Sequence, residues 1–77
     1  MTKKHIEECV RDNLEGYLRD LRGIEPNGLY GMVMKVVEKP LLDVVMQHAE
    51  QNQSRAAEWL GMNRNTLRKK LMEHKLI

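Results

Sequence analysis

Arg64, Arg68, Lys69 and Lys70 place four positive charges within seven residues, and no acidic residue lies among them. Guanidinium and ammonium groups at that density suit phosphate oxygens, to which they donate charge-assisted hydrogen bonds. Asn65 and Thr66 stand between the cations. Arg and Asn near the N-terminus of a helix in the major groove are the side chains that read base edges: Arg pairs two donors with guanine, and Asn pairs a donor and an acceptor with adenine. Lys69 and Lys70, a turn further on, suit phosphates. Upstream, Asn52, Gln53 and Ser54 open a short apolar-periodic run, where free backbone amides at a helix N-terminus form a second phosphate site.

These residues need a scaffold, and residues 52–71 supply the pattern of a helix-turn-helix. Ala56, Ala57 and Leu60 give a first short helix its inner face, and small Ala57 allows a second helix to cross closely. Gly61 falls where a left-handed residue reverses the chain. Met62 then enters the core, Asn63 is a good N-cap, and Leu67 and Leu71 at i, i+4 face inward. Trp59 has no second aromatic with which to form a base-stacking platform, and is expected to cap the core at a helix edge.

Two longer segments precede this unit. Ile6, Val10, Leu14, Tyr17, Leu18 and Leu21 form one apolar stripe, predicting a helix from about Ile6 to Arg22 that stops at Gly23 before the loop Glu25-Pro26-Asn27-Gly28. Gly16 within it suggests close approach of another helix. The next segment, Leu29 to Glu50, is apolar on most sides, so it must be buried on most sides. Met32, Met34 and Met46 read as core filler. Pro40 should kink this helix or break it at Lys39, with Glu38 and Lys39 facing solvent near the bend. One short chain cannot cover so much apolar surface, which implies a second copy across a two-fold axis.

The composition agrees with an all-α fold. The 77 residues make one domain with a limited core, 42% apolar and 31% charged, with no Phe, one Trp and two Tyr. Net charge is +2, but residues 1–49 hold seven Lys/Arg against eight Asp/Glu, and residues 50–77 hold six against three. The basic character therefore sits with the turn motif. A lone cysteine, Cys9, fits a reducing compartment, and no stretch reads as a signal core or a membrane span; a cytoplasmic protein without a membrane partner is expected. Asp43 and Glu38 show no acid–base pairing, His5 and Cys9 make at most half a metal site, and there is no Gly-rich phosphate loop. No catalytic residue, metal, cofactor or small-molecule substrate is expected.

The runs Gln-Ser-Arg-Ala-Ala (53–57), Gly-Met-Asn-Arg (61–64) and Thr-Leu-Arg-Lys-Lys-Leu (66–71) resemble the DNA-binding domain of the factor for inversion stimulation family, Fis. Lys39-Pro40-Leu41-Leu42-Asp43-Val44-Val45-Met46-Gln47 resembles that family's central helix, and the similarity spans about residues 6–75. It implies four helices per subunit in an intertwined homodimer. About 5–50 would dimerise, with Leu14, Leu18, Val33, Val37, Leu41 and Val44 as candidate interface, and about 52–75 would form the helix-turn-helix. It further implies a nucleoid-associated regulator of transcription that bends duplex DNA and reads degenerate sites through shape, with RNA polymerase as a further partner. Carried over, Asn63 and Arg64 are base contacts, and Asn52, Ser54, Thr66, Arg68, Lys69 and Lys70 are backbone contacts. A dimerisation or adaptor module whose basic helix docks on an acidic protein partner is the alternative.

The sequence also departs from the family. Enteric members carry an N-terminal β-hairpin arm that contacts recombinase, whereas this chain starts almost directly at its first helix, so stimulation of inversion is not expected. Met72 and Glu73 stand where those members place basic residues, and Glu50 where a positive charge aids flanking contact. Weaker flank contact and a smaller bend are expected. Gel-shift bend angles equal to those of an arm-bearing, basic-flanked member would contradict this.

Overall fold

A computed structural model describes residues 2–77. Four α-helices and no strand occur among them: α1 (Lys3–Asp20), α2 (Leu29–His48), α3 (Gln53–Leu60) and α4 (Arg64–Glu73). The expected all-α class is the one observed. Helix α1 starts earlier than its apolar stripe, because the Thr2 side chain accepts from the His5 amide and caps the first turn. Its end is reversed by Arg22 and Gly23, both left-handed at φ 52° and 86°. Pro40 does not divide α2, which runs unbroken through it for 20 residues and ends at His48, short of Glu50. A missing amide removes one backbone bond only, and α2 has bonded turns on both sides to hold it.

Three helices close in the same way. Gln51 N–H donates to Met46 C=O (2.8 Å), Met62 N–H to Ala57 C=O (3.0 Å) and Leu76 N–H to Leu71 C=O (2.8 Å). Each bond spans the last helical turn, and the residue before each donor is left-handed: Glu50 after α2, Gly61 after α3, Lys75 after α4. The residue that follows the turn folds back onto the core, as Met62 and Leu76 do. These closures let α2, α3 and α4 pack on one another across very short connections.

The core lies wholly in this C-terminal half. Leu42 and Met46 of α2, Ala49, Ala56 and Ala57 of α3, and Leu67 and Leu71 of α4 form one buried cluster, with Val45 and Leu60 against it. Trp59 differs from its expected place at the core edge, being 55% exposed. Of the three methionines expected as filler only Met46 is buried; Met32 is half-buried and Met34 is exposed. A Cβ on Gly16 would meet no other helix within 4 Å, so the expected close approach is not seen.

Helix α1 buries no residue. Between α1 and α2 lies an apolar groove of about 420 Å³, lined among others by Val10, Leu14, Tyr17, Val33, Val37 and Pro40. Leu18, Val37, Leu41 and Val44 are exposed, and Leu14 and Val33 half-buried. Among the described residues no helix is long and apolar enough to cross a membrane.

Gly61 tests the turn. Its φ of 73° is left-handed and a Cβ there would meet nothing within 4 Å, so the cost of Gly61→Ala is conformational alone. A loss of about 1 kcal/mol is expected. Thermal denaturation should show Tm lower by about 4–8 °C, and an unchanged Tm would contradict the role given to the turn.

Candidate nucleic-acid interface

Helix α4 presents its two faces differently because of where the core lies. Leu67 and Leu71 are fully buried, whereas Arg64, Asn65, Thr66, Arg68 and Lys69 are exposed. The first turn of α4 thus offers Arg64, Asn65 and Thr66, and the second offers Arg68 and Lys69, with no acid until Glu73. Asn63 starts the helix as its N-cap, its side-chain oxygen accepting from the Asn65 amide at 2.7 Å. That bond uses Oδ1 and leaves the Nδ2 hydrogens to donate outward.

Asn52 has the same role at α3, accepting from the Arg55 amide at 3.0 Å. Asn52 and Ser54 are exposed at that helix start. First-turn amides beyond those already capped face outward with the positive end of the helix dipole behind them. The chemistry of both helix starts is that of anion binding.

Lys70 stands apart from the other cations. Its ammonium lies 3.0 Å from Glu38 Oε2, and its side chain is only one-third exposed. The other carboxylate oxygen, Oε1, accepts from His74 Nε2 at 2.9 Å, and His74 is nearly covered, with 8% of its side chain exposed. Lys70 therefore differs from the open cation expected for a backbone contact, and Glu38 from the solvent-facing acid expected beside the bend. Periodicity explains both. Glu38 is four residues before Leu42 and eight before Met46, so it heads the inward stripe of α2; Lys70 and His74 lie three residues after Leu67 and Leu71, at the border of the inward stripe of α4. His74 was not singled out by sequence, though that spacing carries the signal. The His74 hydrogen bond foremost, then that from Lys70, holds the Glu38 carboxyl below its ordinary value of 4.5.

Among the described residues no group of three or more His, Cys, Asp or Glu could hold a metal ion. Cys9 is a free, exposed thiol whose sulfur accepts from Asn13 at 3.4 Å.

Comparison with known proteins adds a family. The family model described as "Bacterial regulatory protein, Fis family" matches residues 33–74, which take in most of α2 and all of α3 and α4. A Fis-like DNA-binding protein of Ralstonia nicotianae is 53% identical over 77 residues, the whole of both chains. A Fis-like DNA-binding protein of Neisseria meningitidis serogroup A is 55% identical over 76 residues, covering 99% of this chain and 96% of its own. The DNA-binding protein Fis of Aliivibrio fischeri is 47% identical over 74 residues, covering 96% of this chain and 76% of its own.

The depressed Glu38 carboxyl fixes a pH dependence. A carboxyl that binds its proton less readily when folded stabilises the fold fully above the ordinary value of 4.5, and that contribution is lost as pH falls through the lower folded value. Acid titration followed by circular dichroism should therefore show a shallower loss of stability below pH 4.5 in Glu38→Gln than in the native chain. Superimposable acid limbs would contradict the two hydrogen bonds.

Proposed function

This chain belongs to the Fis family of bacterial regulatory proteins, and on that premise we propose that it binds duplex DNA as a homodimer, α4 of each protomer entering a major groove. The observation that carries this is the division of α4: Leu67 and Leu71 are fully buried while Arg64, Arg68 and Lys69 stand exposed; Asn63 caps the start of the same helix and Asn52 that of α3. Arg64 and Asn63, at the leading end of α4, are the base readers. Asn52, Ser54, Thr66, Arg68 and Lys69 hold the sugar–phosphate backbone. Lys70, engaged by Glu38, is left out of that set.

The dimer is supported by what a single chain leaves uncovered. Tyr17, Leu18, Val36, Val37, Leu41 and Val44 are all more than two-fifths exposed on α1 and α2. Apolar side chains left uncovered in that number along two helices mark an interface. A second copy seated on it joins residues of about 5–50 into one dimerisation unit and presents two copies of 52–75 to one duplex. Two readers on a fixed frame favour DNA that bends to meet both, so shape and deformability share in site selection. Bending of this kind suits a nucleoid-associated regulator acting on chromosomal DNA in the cytoplasm, where RNA polymerase is the enzyme whose access such a complex controls.

Salt dependence tests this proposal against docking on an acidic protein partner. Phosphate neutralisation releases counterions; with about six open cations per dimer, affinity for mixed duplex DNA should fall roughly a thousandfold between about 50 and about 200 mM salt. Arg64→Ala should cost about 1–3 kcal/mol at a selected site, and Lys69→Ala should weaken all duplexes alike. Fluorescence anisotropy measures both. Equal losses on selected and random duplexes for the two variants would remove base reading from Arg64, and an absence of salt-sensitive duplex binding would favour the protein-docking alternative.

A further inference from the structure

We infer that Glu38 is a positioning residue for the reading helix: its carboxylate, on α2, holds Lys70 with one oxygen and His74 with the other, and so sets how α4 sits on the helix that builds the dimer. The inference rests on α4 being the DNA reader, as proposed above, but concerns Glu38 and His74, for which no DNA contact is expected, and Lys70, which the pairing with Glu38 takes out of the expected backbone contacts. Three observations support it. First, α4 lies closest to α3, and α3 to α2, so the reader is linked to α2 largely through a short intervening helix. Second, the apolar residues that α4 and α2 bring to the shared core are Leu67 and Leu71, and Leu42 and Met46, and apolar burial is non-directional, resisting separation more than rotation of one helix over the other. Third, Glu38 supplies the directional element. Its two bonds, 3.0 Å to Lys70 Nζ and 2.9 Å to His74 Nε2, join a residue of α4 and that helix's C-cap, one turn apart, to a single carboxylate.

Two bonds from one carboxylate to positions i and i+4 fix a helix in azimuth as well as distance, because rotation of α4 lengthens one bond or the other. All three side chains are at least two-thirds covered, so these bonds are sheltered from competing water. The neighbours of Glu38 on α2 include Val37, exposed on the apolar surface assigned to the second copy, and Pro40, which lines the groove beside it. The orientation of each reader is therefore referred to the helix that sets the distance to its twin.

Pure electrostatics and positioning predict opposite signs. Glu38 places a negative charge next to the basic helix and engages one of its lysines. If that were its whole effect, Glu38→Ala would tighten binding to every duplex and free Lys70 for phosphate. Positioning predicts the reverse at a selected site, where two readers must meet two grooves at once.

The full chain and the variants Glu38→Ala, Glu38→Gln, Lys70→Ala and the double variant Glu38→Ala/Lys70→Ala are titrated against two duplexes of equal length. One is selected by the native protein from a random pool, and the other is random sequence. Glu38→Ala and Lys70→Ala should each lose about tenfold on the selected duplex, corresponding to about 1.4 kcal/mol, with little change on the random one. The double variant should be no worse than either single, since one arrangement is lost once. The slope of log affinity against log salt should be unchanged in Lys70→Ala, whereas loss of a phosphate contact lowers it by about 0.9 per site. Tighter binding by Glu38→Ala to both duplexes, or a reduced slope in Lys70→Ala, would overturn the inference. Should Glu38→Ala not fold, Glu38→Gln and Lys70→Ala carry the same comparison.

Residual dipolar couplings of the DNA-free protein keep the two proposals separable. They should give one orientation of α4 relative to α2 in the native chain and an averaged one in Glu38→Ala. A retained single orientation in Glu38→Ala overturns the inference even where native DNA binding stands, and absent native DNA binding sinks the proposed function while these couplings still decide the role of Glu38.

Discussion

Everything in this molecule depends on the burial of Leu42, Leu67 and Leu71 at one point. These three are the largest fully buried side chains, and each stabilises the fold by roughly 1.5–3 kcal/mol relative to exposure. They meet because Ala56 and Ala57 of α3 are small enough to let α2 and α4 close over them. A bulkier residue at either alanine would push the helices apart and tilt the basic face. The outward geometry of Arg64, Arg68 and Lys69 is the other side of the inward geometry of Leu67 and Leu71, so packing and recognition are one constraint seen from two faces of α4.

That core occupies only part of the chain. Among the described residues of α1 none is buried, and α2 buries only Leu42 and Met46. A 77-residue chain with so much uncovered apolar surface is short of cover rather than short of apolar residues. The proposed second copy would meet that shortage and double the reader at the same time. Stability and function then share a single cause, and a variant that weakens the apolar face weakens both.

Much of this was legible in the sequence, for physical reasons that differ by element. The turn at Gly61, the cap at Asn63 and the inward pair Leu67/Leu71 follow from local rules with few alternatives, and the structure has each of them. The all-α class followed from an aliphatic core with almost no aromatics. The Glu38 clasp was not legible, because its partners are 32 and 36 residues away, and a charged residue is normally a solvated one. Position in the inward stripe, four residues before Leu42, is a better guide than residue type. Trp59 departs from its expected place for the opposite reason: residue type suggests cover that its position on α3 does not provide. The uninterrupted α2 shows that a proline within a long helical pattern can be accommodated when bonded turns flank it on both sides.

A second copy of the chain is proposed to complete the apolar face of α1 and α2. Sedimentation equilibrium of the purified protein in the absence of DNA measures this directly. The expected result is a single species at twice the 9.0 kDa of one chain, persisting on dilution into the micromolar range with helicity unchanged. A helical, well-folded species at 9.0 kDa under the same conditions would contradict it.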